Sequence, residues 1–395
     1  MSYKLYVSDS SYFSGKLEAY LRYKGIPHDR HEISITTMRE TILPNTGLIK
    51  VPVMQCPDGR WLKDTTPMIQ WLDGQHPEPP AYPQDPAARF IALLVEDYAD
   101  EWMWRPAMYY RWAFPDSHRL RRARLGAELA AGTIHSSWLM GWYFRWRQYL
   151  VFVRGDGVRA HNRAAVEAVY LRTLRELSAL LETRPFLLGT RPGIVDFAFF
   201  GSMFRHFALD PHPAKIMVDT APAVWAWVAR VWNARAAREG RGALEDFSAP
   251  EWQPLFNDIL REYLPYLDDN AQAYAQGANR FDWVCHPRAS GDPEVLFPRM
   301  PVVRYRVACR SQLLKAWRAL DADARARAAQ KLGAIATWFD AAQDVDAGLD
   351  AEFVLPLAQH YPEARGLHGL RLYAGTPWDL PAAPLEPDPQ PRPKT

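Results

Sequence analysis

The pattern of hydrophobic and polar positions changes character near residue 75. Before that point, short apolar runs that suit strands alternate with segments in which apolar residues recur every three to four positions, as on one face of a helix. The pattern predicts strands at 3–7, 30–35, 50–55 and 60–63, helices at 14–24 and from 65 or 66 to about 73, and a short irregular helical connection at 36–45. The order β-α-β-α-β-β-α predicts an α+β domain at residues 1–75.

Turn-forming residues fix two boundaries in this first domain. Gly25, followed by Pro27, ends the first helix, because glycine accepts the left-handed conformation that closes many helices. Pro57-Asp58-Gly59 lies between the last two predicted strands, where proline presets φ and glycine accepts a positive φ. We therefore expect these two strands to form a hairpin.

The rest of the chain is mostly helical in its periodicity. Five prolines between residues 75 and 86 mark a domain boundary, and Pro106 should kink the second domain's first helix. The predicted units are an all-helical bundle at 87–240 (helices at 90–112, 134–151, 162–182, 195–207 and 223–237), a mostly helical extension at 245–376 (helices near 252–276, 309–320 and 324–339) and an extended or disordered Pro-rich tail at 377–395.

Composition and charge exclude several classes of protein. The 395 residues are 48% hydrophobic and 23% charged, and 47 Lys and Arg against 45 Asp and Glu give a net charge of +2. Such a balance creates no global field that would collect nucleic acid or an anionic membrane, so neither partner is expected. The longest helical apolar stretch, at 197–207, is too short for a bilayer span, and the N-terminus lacks the pattern of a signal peptide, which predicts a cytoplasmic protein.

Candidate metal and nucleic-acid sites are weakly supported. The three cysteines are far apart, no CxxC occurs, and no third ligand accompanies His28 and His31, so no metal is expected. The arginines between residues 119 and 124 lack interleaved aromatic residues and are interpreted as a solvated helix face. The chain also has 16 Trp, 18 Tyr and 17 Phe, more aromatic surface than we expect from packing alone.

Three separated segments of the first domain carry candidate chemistry. They are Ser11-Tyr12-Phe13-Ser14-Gly15-Lys16, Lys50-Val51-Pro52-Val53 and Asp64-Thr65-Thr66-Pro67-Met68-Ile69-Gln70-Trp71-Leu72. In order and spacing, they resemble the motifs of the thioredoxin-like N-terminal domain of the glutathione transferase superfamily, in its serine-type members. The spacing, 38 residues from Ser14 to Pro52 and 12 from Pro52 to Asp64, argues against a chance match of all three segments.

The first segment supplies the candidate catalytic residues. The resemblance places Ser11 beside the glutathione sulfur, and a helix that starts near Ser14 would aim its free N–H groups at the same point. Tyr12 stands where the family usually has proline, and its phenol is a rival hydroxyl donor. Alternatively, Ser11 and Ser14 only cap a helix.

The second and third segments supply the candidate glutathione-binding residues. The resemblance implies a cis bond before Pro52 and a backbone at Val51 that pairs with the cysteinyl part of glutathione like an added strand. It also implies that Lys50 contacts a carboxylate, that Asp64 accepts from the γ-glutamyl ammonium and that Thr65 holds the γ-glutamyl carboxylate. Read alone, these segments are also compatible with an edge proline and an ordinary helix cap.

The helical domain adds two features to the resemblance. The segment at 185–196 is similar to a family motif in which Asp196 bonds back to the start of its helix, a folding role. Trp104, Met108 and Trp112 lie at i, i+4 and i+8 on a helix that would border the electrophile pocket, although such stripes are usually core.

Two functions follow from the resemblance, which covers residues 1 to about 240. The first is a cytosolic glutathione transferase, with glutathione as co-substrate, that joins the thiolate to an apolar electrophile or reduces a peroxide; the family implies detoxification and a homodimer. The second is a noncatalytic member that keeps the fold, and perhaps the glutathione site, as a binding or scaffold module. The absence of a cysteine at the site argues against glutaredoxin-like exchange.

Overall fold

A computed structural model of the chain describes residues 2–47, 49–240, 242–285 and 294–347. The predicted Pro-rich tail at 377–395 and the part of the predicted extension after residue 347 lie outside the described residues. Within them, an α+β domain is followed by a helical domain and then by further helices with a β-hairpin. The predicted fold class is therefore confirmed.

The first domain is a small mixed sheet with helices against it. Its elements are β1 Tyr3–Val7, α1 Tyr12–Lys24, β2 His28–Glu32, α2 Ile35–Thr37, a π-helical turn Met38–Ile42, α3 Leu43–Thr46, β3 Val53–Gln55, β4 Trp61–Lys63 and α4 Thr65–Gln75. The strand order is β2-β1-β3-β4, with β2 parallel to β1 and both β3 and β4 antiparallel to their neighbours. This is the predicted thioredoxin-like arrangement.

The two predicted turn signals act as expected. Gly25 ends α1 with φ of 68°, and its N–H bonds back to the last turn of the helix. Gly59, with φ of 89°, closes the β3–β4 hairpin and donates its N–H to the carbonyl of Cys56 at 3.0 Å. A side chain at either position would force a backbone conformation that L-residues rarely adopt.

The strand register brings three loops to one edge of the sheet. Tyr6 pairs with Val53, and Val53 pairs with Lys63. One residue further along the same register, Pro52 comes opposite Asp64. Because β3 runs antiparallel to both β1 and β4, the segment after β1, the segment before β3 and the segment after β4 leave the sheet together.

The second domain is a helical bundle. Its helices are α5 Pro86–Glu101, α6 Trp104–Ala113, α7 Pro115–Ala130, α8 Ser137–Gln148, α9 Arg163–Leu181, α10 Ile194–Ser202, α11 Pro211–Thr220, α12 Pro222–Asn233 and α13 Ala236–Glu239. Shorter 3-10 or π-helical segments lie at Tyr149–Arg154, Ala160–Asn162 and Met203–Ala208. The predicted helix at 90–112 is divided between α5 and α6, four residues before Pro106, because proline has no N–H to donate to the carbonyl of Trp102.

Helix α10 forms the centre of this domain. All of its residues are buried, and it packs against α1 of the first domain and against α5. The carboxylate of Asp196 accepts from the backbone N–H groups of Gly193 at 3.0 Å and Leu187 at 2.8 Å and from the indole of Trp227 at 2.9 Å. The predicted folding role of Asp196 is confirmed.

The predicted basic face on α7 is wrong at one position. Arg121 is buried, and it forms an ion pair with Asp210, which also accepts from Arg111 at 2.8 Å. Arg119 and Arg124, on either side, are exposed as predicted. The charge of Arg121 is therefore used in packing the bundle.

The extension packs against the second domain through aromatic side chains. Its elements are α14 Gln253–Asp258, a π-helical segment Ile259–Tyr263, α15 Leu264–Ala275, β5 Arg280–Cys285, β6 Val295–Pro301, α16 Arg304–Arg318, α17 Ala322–Leu332 and α18 Ala334–Ala341, after a 3-10 turn at Pro250–Trp252. Phe90 of α5 contacts Trp317 and Phe339, with ring centroids 5.1 and 5.0 Å apart. Fully burying a side chain of this kind is worth about 1.5–3 kcal/mol. Part of the aromatic excess in the sequence is therefore used to attach the extension.

Candidate functional site

The hydroxyl of Ser11 lies between the start of α1 and the segment that precedes β3. Its oxygen accepts from the N–H of Ser14 at 3.2 Å, which makes Ser11 the N-cap of α1. The same hydroxyl donates to the backbone carbonyl of Val51 at 3.2 Å. Ser11 is half-buried, so its oxygen is fixed at a helix N-terminus without being sealed from solvent. A negative charge beside this oxygen would meet both a hydroxyl donor and the positive end of the helix.

The Tyr12 hydroxyl has a different environment. Tyr12 is 1% exposed, and its phenol donates to the backbone carbonyl of Ala99 on α5. Its ring packs edge-on against Trp104 and His206. Burial raises the pKa of the phenol well above its usual value. The Tyr12 hydroxyl, the rival donor, is therefore already bonded to a backbone carbonyl where the first domain packs on the second.

The Val51-Pro52 segment has the predicted conformation. The bond between the two residues is cis, as the sequence comparison with the family implied. Val51 is half-buried, Pro52 is buried and Lys50 is exposed. The charge of Lys50 lies close enough to Asp64 to lower the pKa of that carboxyl. The second and third sequence motifs are therefore neighbours, as the strand register requires.

Asp64 and Thr65 stand at the N-terminus of α4. Thr65 is the first residue of the helix and is buried, while Asp64 precedes it with φ of 74°. A non-glycine residue in this region of φ costs about 1–3 kcal/mol, and such residues concentrate at functional sites. Burial raises the pKa of the Asp64 carboxyl, against the lowering influence of Tyr305, Lys16 and Lys50.

A buried ion network lies behind α4. Lys16 donates to Glu96 at 2.6 Å and also pairs with Asp100, both on α5. The Thr66 hydroxyl donates to Glu96 at 2.9 Å and accepts from Lys16 at 3.1 Å. Burial alone would lower the pKa of Lys16, but the two carboxylates raise it above its usual value. The network joins α1, α4 and α5 and so ties the first domain to the second beneath Asp64.

One residue of the extension reaches the same site. Tyr305, in the first turn of α16, donates its hydroxyl to Oδ2 of Asp64 at 2.7 Å. The two residues are 241 positions apart in the chain. Next to them, Arg306 pairs with Glu101 of α5 at 2.8 Å. The end of the site at Asp64 is therefore formed by the first domain, the second domain and the extension together.

The three α6 residues predicted for an electrophile pocket are placed differently from one another. Trp104 is half-buried, and its ring lies nearly parallel to that of Phe13, with centroids 6.3 Å apart. Met108 and Trp112 are 4% and 2% exposed and belong to the hydrophobic core. Trp104 thereby contacts the start of α1, at Tyr12 and Phe13.

The described part of the chain contains neither a cluster of metal-binding side chains nor a helix that could cross a membrane. No group of three or more His, Cys, Asp or Glu side chains is arranged to hold a metal ion in residues 2–47, 49–240, 242–285 and 294–347. In these same ranges, no helix combines the length and the apolar character that crossing a bilayer would require.

Comparison with known families agrees with this geometry. Residues 5–80 match the N-terminal domain of glutathione S-transferases, and residues 159–230 match their C-terminal domain. Both glutathione S-transferase domains are therefore represented in the chain, over less than half of its length. All the residues predicted to bind glutathione lie in the first match, and the extension lies outside both. No curated protein matches the chain.

Several solved glutathione S-transferases are similar in structure. The enzyme from Rhodospirillum rubrum F11 is 18% identical over 64% of this chain and 91% of its own, with a TM-score of 0.40. The one from Methylobacterium radiotolerans, in complex with glutathione sulfonate, is 21% identical over 60% and 92%, with a TM-score of 0.37. The one from Methylobacillus flagellatus, with glutathione bound, is 18% identical over 58% and 94%, with a TM-score of 0.35.

Two features of this transferase-family site were not predicted from the sequence. Lys16 is part of the first motif, but its pairing with Glu96 and Asp100 depends on how α5 packs on the first domain. Tyr305 lies in a segment without a recognised motif. The sequence did contain one signal for the pairing of Lys16, the acidic pairs Glu96-Asp97 and Asp100-Glu101 on an otherwise largely apolar helix. Because buried carboxylates require partners, these pairs could have predicted a buried cation such as Lys16.

Proposed function

We propose that this protein is a glutathione transferase that binds glutathione across Ser11, Val51, Asp64 and Thr65 and activates its thiol at Ser11. The observation that carries the proposal is the contact between the Ser11 hydroxyl and the Val51 carbonyl at 3.2 Å. This contact joins a hydroxyl at a helix N-terminus to the backbone of Val51, and the next residue, Pro52, comes opposite Asp64 in the strand register. An extended tripeptide with a thiol at its centre and an amino acid at one end fits such an arrangement.

The binding step follows from the groups present. The cysteinyl N–H of glutathione would donate to the Val51 carbonyl and take the place of the Ser11 hydroxyl there. The hydroxyl would then be free to donate to the sulfur. At the other end, Asp64 would accept from the γ-glutamyl ammonium, and the Thr65 hydroxyl and N–H would hold the carboxylate. Lys50 would contact the second carboxylate of the tripeptide.

The chemical step needs a thiolate, because the thiol itself is a weak nucleophile. To lower the thiol pKa of about 8.5 by two units, the site must favour the anion by about 2.7 kcal/mol. A hydrogen bond to a charged group supplies about 1.5–3 kcal/mol, and a helix N-terminus supplies about 0.3–1 kcal/mol. The thiolate then forms a carbon–sulfur bond with the electrophile, and the leaving group departs with the electron pair.

The electrophile would lie against Trp104, the member of the predicted pocket that is near Ser11. Met108 and Trp112 would support the pocket wall from the core. An apolar, aromatic wall favours an apolar electrophile over a charged one. A cytoplasmic location, a role in detoxification and a homodimer are predictions from the family resemblance and are part of this proposal.

The second candidate is a noncatalytic glutathione-binding or scaffold protein. The observation that favours it is the extension, which packs on α5 and contacts Asp64 through Tyr305. A partner-binding role for the extension would explain why a transferase fold carries it. The two candidates share glutathione binding and differ only in turnover.

Titration calorimetry of the full-length chain with glutathione tests what the candidates share. We expect heat of association with one site per chain, and its absence on folded protein would overturn both. Turnover is then measured with an aryl halide, a Michael acceptor and an alkyl hydroperoxide. Catalysis of any of these supports the transferase, whereas binding without turnover supports the noncatalytic candidate.

A further inference from the structure

The contact between Tyr305 and Asp64 brings the extension into the proposed glutathione site. The phenol donates to Oδ2 of the carboxylate at 2.7 Å. A carboxylate accepts hydrogen bonds on both oxygens, so Oδ1 can still accept from a ligand ammonium. Asp64 and Tyr305 are both only partly buried, and so are Asp97 and Glu101 of α5.

The start of α16 is held firmly on both sides of Tyr305. On one side, the amide of Asn270 both donates to and accepts from the backbone of Val303, at 3.0 and 2.7 Å. On the other side, Arg306 is 2% exposed and pairs with Glu101 at 2.8 Å. Because the backbone on both sides of Tyr305 is held in this way, its phenol loses little conformational freedom when a ligand binds. A residue that positions another side chain needs this rigidity.

We propose that Tyr305 is a positioning residue for the γ-glutamyl end of glutathione, acting through Asp64. The phenol holds one carboxylate oxygen so that the other faces the ligand ammonium. This inference rests on the proposed function, since it names a further part of the same site. It also gives the extension a role in ligand binding that the two transferase domains alone do not provide.

The proposal has a consequence for pH. Several charged or titratable groups act on Asp64, namely Lys16 from α1, Lys50 from the loop before β3, Glu101 from α5 and Tyr305 from α16. The Tyr305 hydrogen bond favours the carboxylate and lowers the pKa of Asp64. Without the phenol that pKa rises, so glutathione binding should fail at a higher pH when the solution is acidified.

The test is Tyr305→Phe in the full-length chain, with glutathione affinity measured by calorimetry between pH 4.5 and 8. We expect about a tenfold weaker affinity at pH 7, because without the phenol the Asp64 carboxylate must be ordered when the ligand ammonium binds. We also expect the acid limb of binding to move to higher pH. Tyr274→Phe is the matched control, because that extension tyrosine donates to the carbonyl of Ala347 at 3.1 Å and should leave binding unchanged.

Three results would overturn the proposal. Unchanged affinity and an unchanged pH profile in Tyr305→Phe would show that the contact is structural only. Tighter binding in that variant would show that Tyr305 competes with the ligand. An equal loss in both tyrosine variants would point to a general effect on the extension. If the unmodified protein does not bind glutathione at all, the proposed function fails instead, and the two failures are thereby distinguished.

Discussion

The two ends of the proposed glutathione site are built in different ways. The thiol end consists of Ser11 and Val51, which both belong to the first domain and contact each other directly. The amino-acid end is formed around Asp64 by α4, by α5 and by Tyr305 of the extension. The thiol end depends on one helix N-terminus and one loop, whereas the amino-acid end depends on how three parts of the chain pack together.

This difference separates chemistry from affinity. A change at the thiol end should alter the reactivity of bound glutathione and leave its affinity nearly unchanged. A change at the amino-acid end should alter affinity and, where it disturbs the contact between domains, stability. The predictions below address that separation, starting with the largest expected effect.

Lys16→Met should destabilise the protein more than any other change considered. The substitution leaves Glu96 and Asp100 buried without their cation, and breaking a buried ion pair in this way costs about 3–5 kcal/mol. Urea unfolding followed by tryptophan fluorescence should show a markedly lower midpoint for the first transition. Because Lys16 lies behind α4, glutathione affinity should fall as well.

The control for this variant is Lys215→Met. Lys215 also pairs with a carboxylate, that of Asp219 at 2.6 Å, but 77% of its side chain is exposed. Such a surface pair is worth less than about 1 kcal/mol. Equal effects of the two substitutions would show that the buried network does not hold the amino-acid end together.

Ser11→Ala should lower turnover at neutral pH about 10- to 100-fold, with less than a threefold change in glutathione affinity. In the proposed mechanism the serine hydroxyl lowers the pKa of the bound thiol, so its removal should return that pKa toward about 8.5. The difference in rate between the variant and the unmodified protein should then shrink as the pH is raised. Above a pKa of about 8.5, the thiol loses its proton without help from the serine hydroxyl. Ultraviolet absorbance of the thiolate measures the pKa of bound glutathione directly.

Two further variants distinguish the hydroxyl from the helix cap. Ser11→Thr keeps both the hydroxyl and the capping oxygen, and we expect it to retain most of the turnover. Ser10→Ala removes the neighbouring serine, which is not the N-cap of α1, and should be neutral. A large loss of glutathione affinity in Ser11→Ala would contradict the separation of the two ends.

The same contrast explains how much could be predicted from the sequence. Ser11, Val51, Pro52 and Asp64 lie in short motifs next to strand ends, and the strand register follows from local turns, so their proximity could be anticipated. Tyr305 could not, because its contact with Asp64 depends on packing between segments 241 residues apart.

Packing also decides points that local patterns leave open or get wrong. Tyr12 lies in the first motif, but α5 supplies a carbonyl that takes its hydroxyl. Arg121 lies in a polar run, but Asp210 of a distant segment makes it part of the core. The β5–β6 hairpin was missed because residues 280–301 mix charged residues and prolines without a clear alternation.

Asp64→Asn should weaken glutathione binding about tenfold and leave turnover at saturating glutathione nearly unchanged. The amide keeps the size of the side chain but loses the charge that a ligand ammonium requires. In the unmodified protein, affinity should fall with falling pH as Asp64 becomes protonated, and the variant should lose that dependence. Calorimetry across the pH range measures both effects.

The matched control for Asp64→Asn is Asp58→Asn. Asp58 lies in the β3–β4 turn of the same domain, is exposed, and pairs with Arg60 at 2.7 Å. Its substitution should leave glutathione affinity unchanged. A loss of turnover at saturating glutathione in Asp64→Asn would mean that the amino-acid end also takes part in the chemical step.

Tyr12→Phe should have the smallest effect on the reaction. Its phenol donates to the carbonyl of Ala99, so the substitution removes a hydrogen bond between domains and should cost about 1 kcal/mol of stability. Turnover should stay within twofold, because the hydroxyl has no part in activating the thiol. Urea unfolding and steady-state kinetics on the same preparation measure the two effects. If Tyr12→Phe instead abolishes turnover while Ser11→Ala is silent, the phenol is the donor and the thiol end must rearrange when glutathione binds.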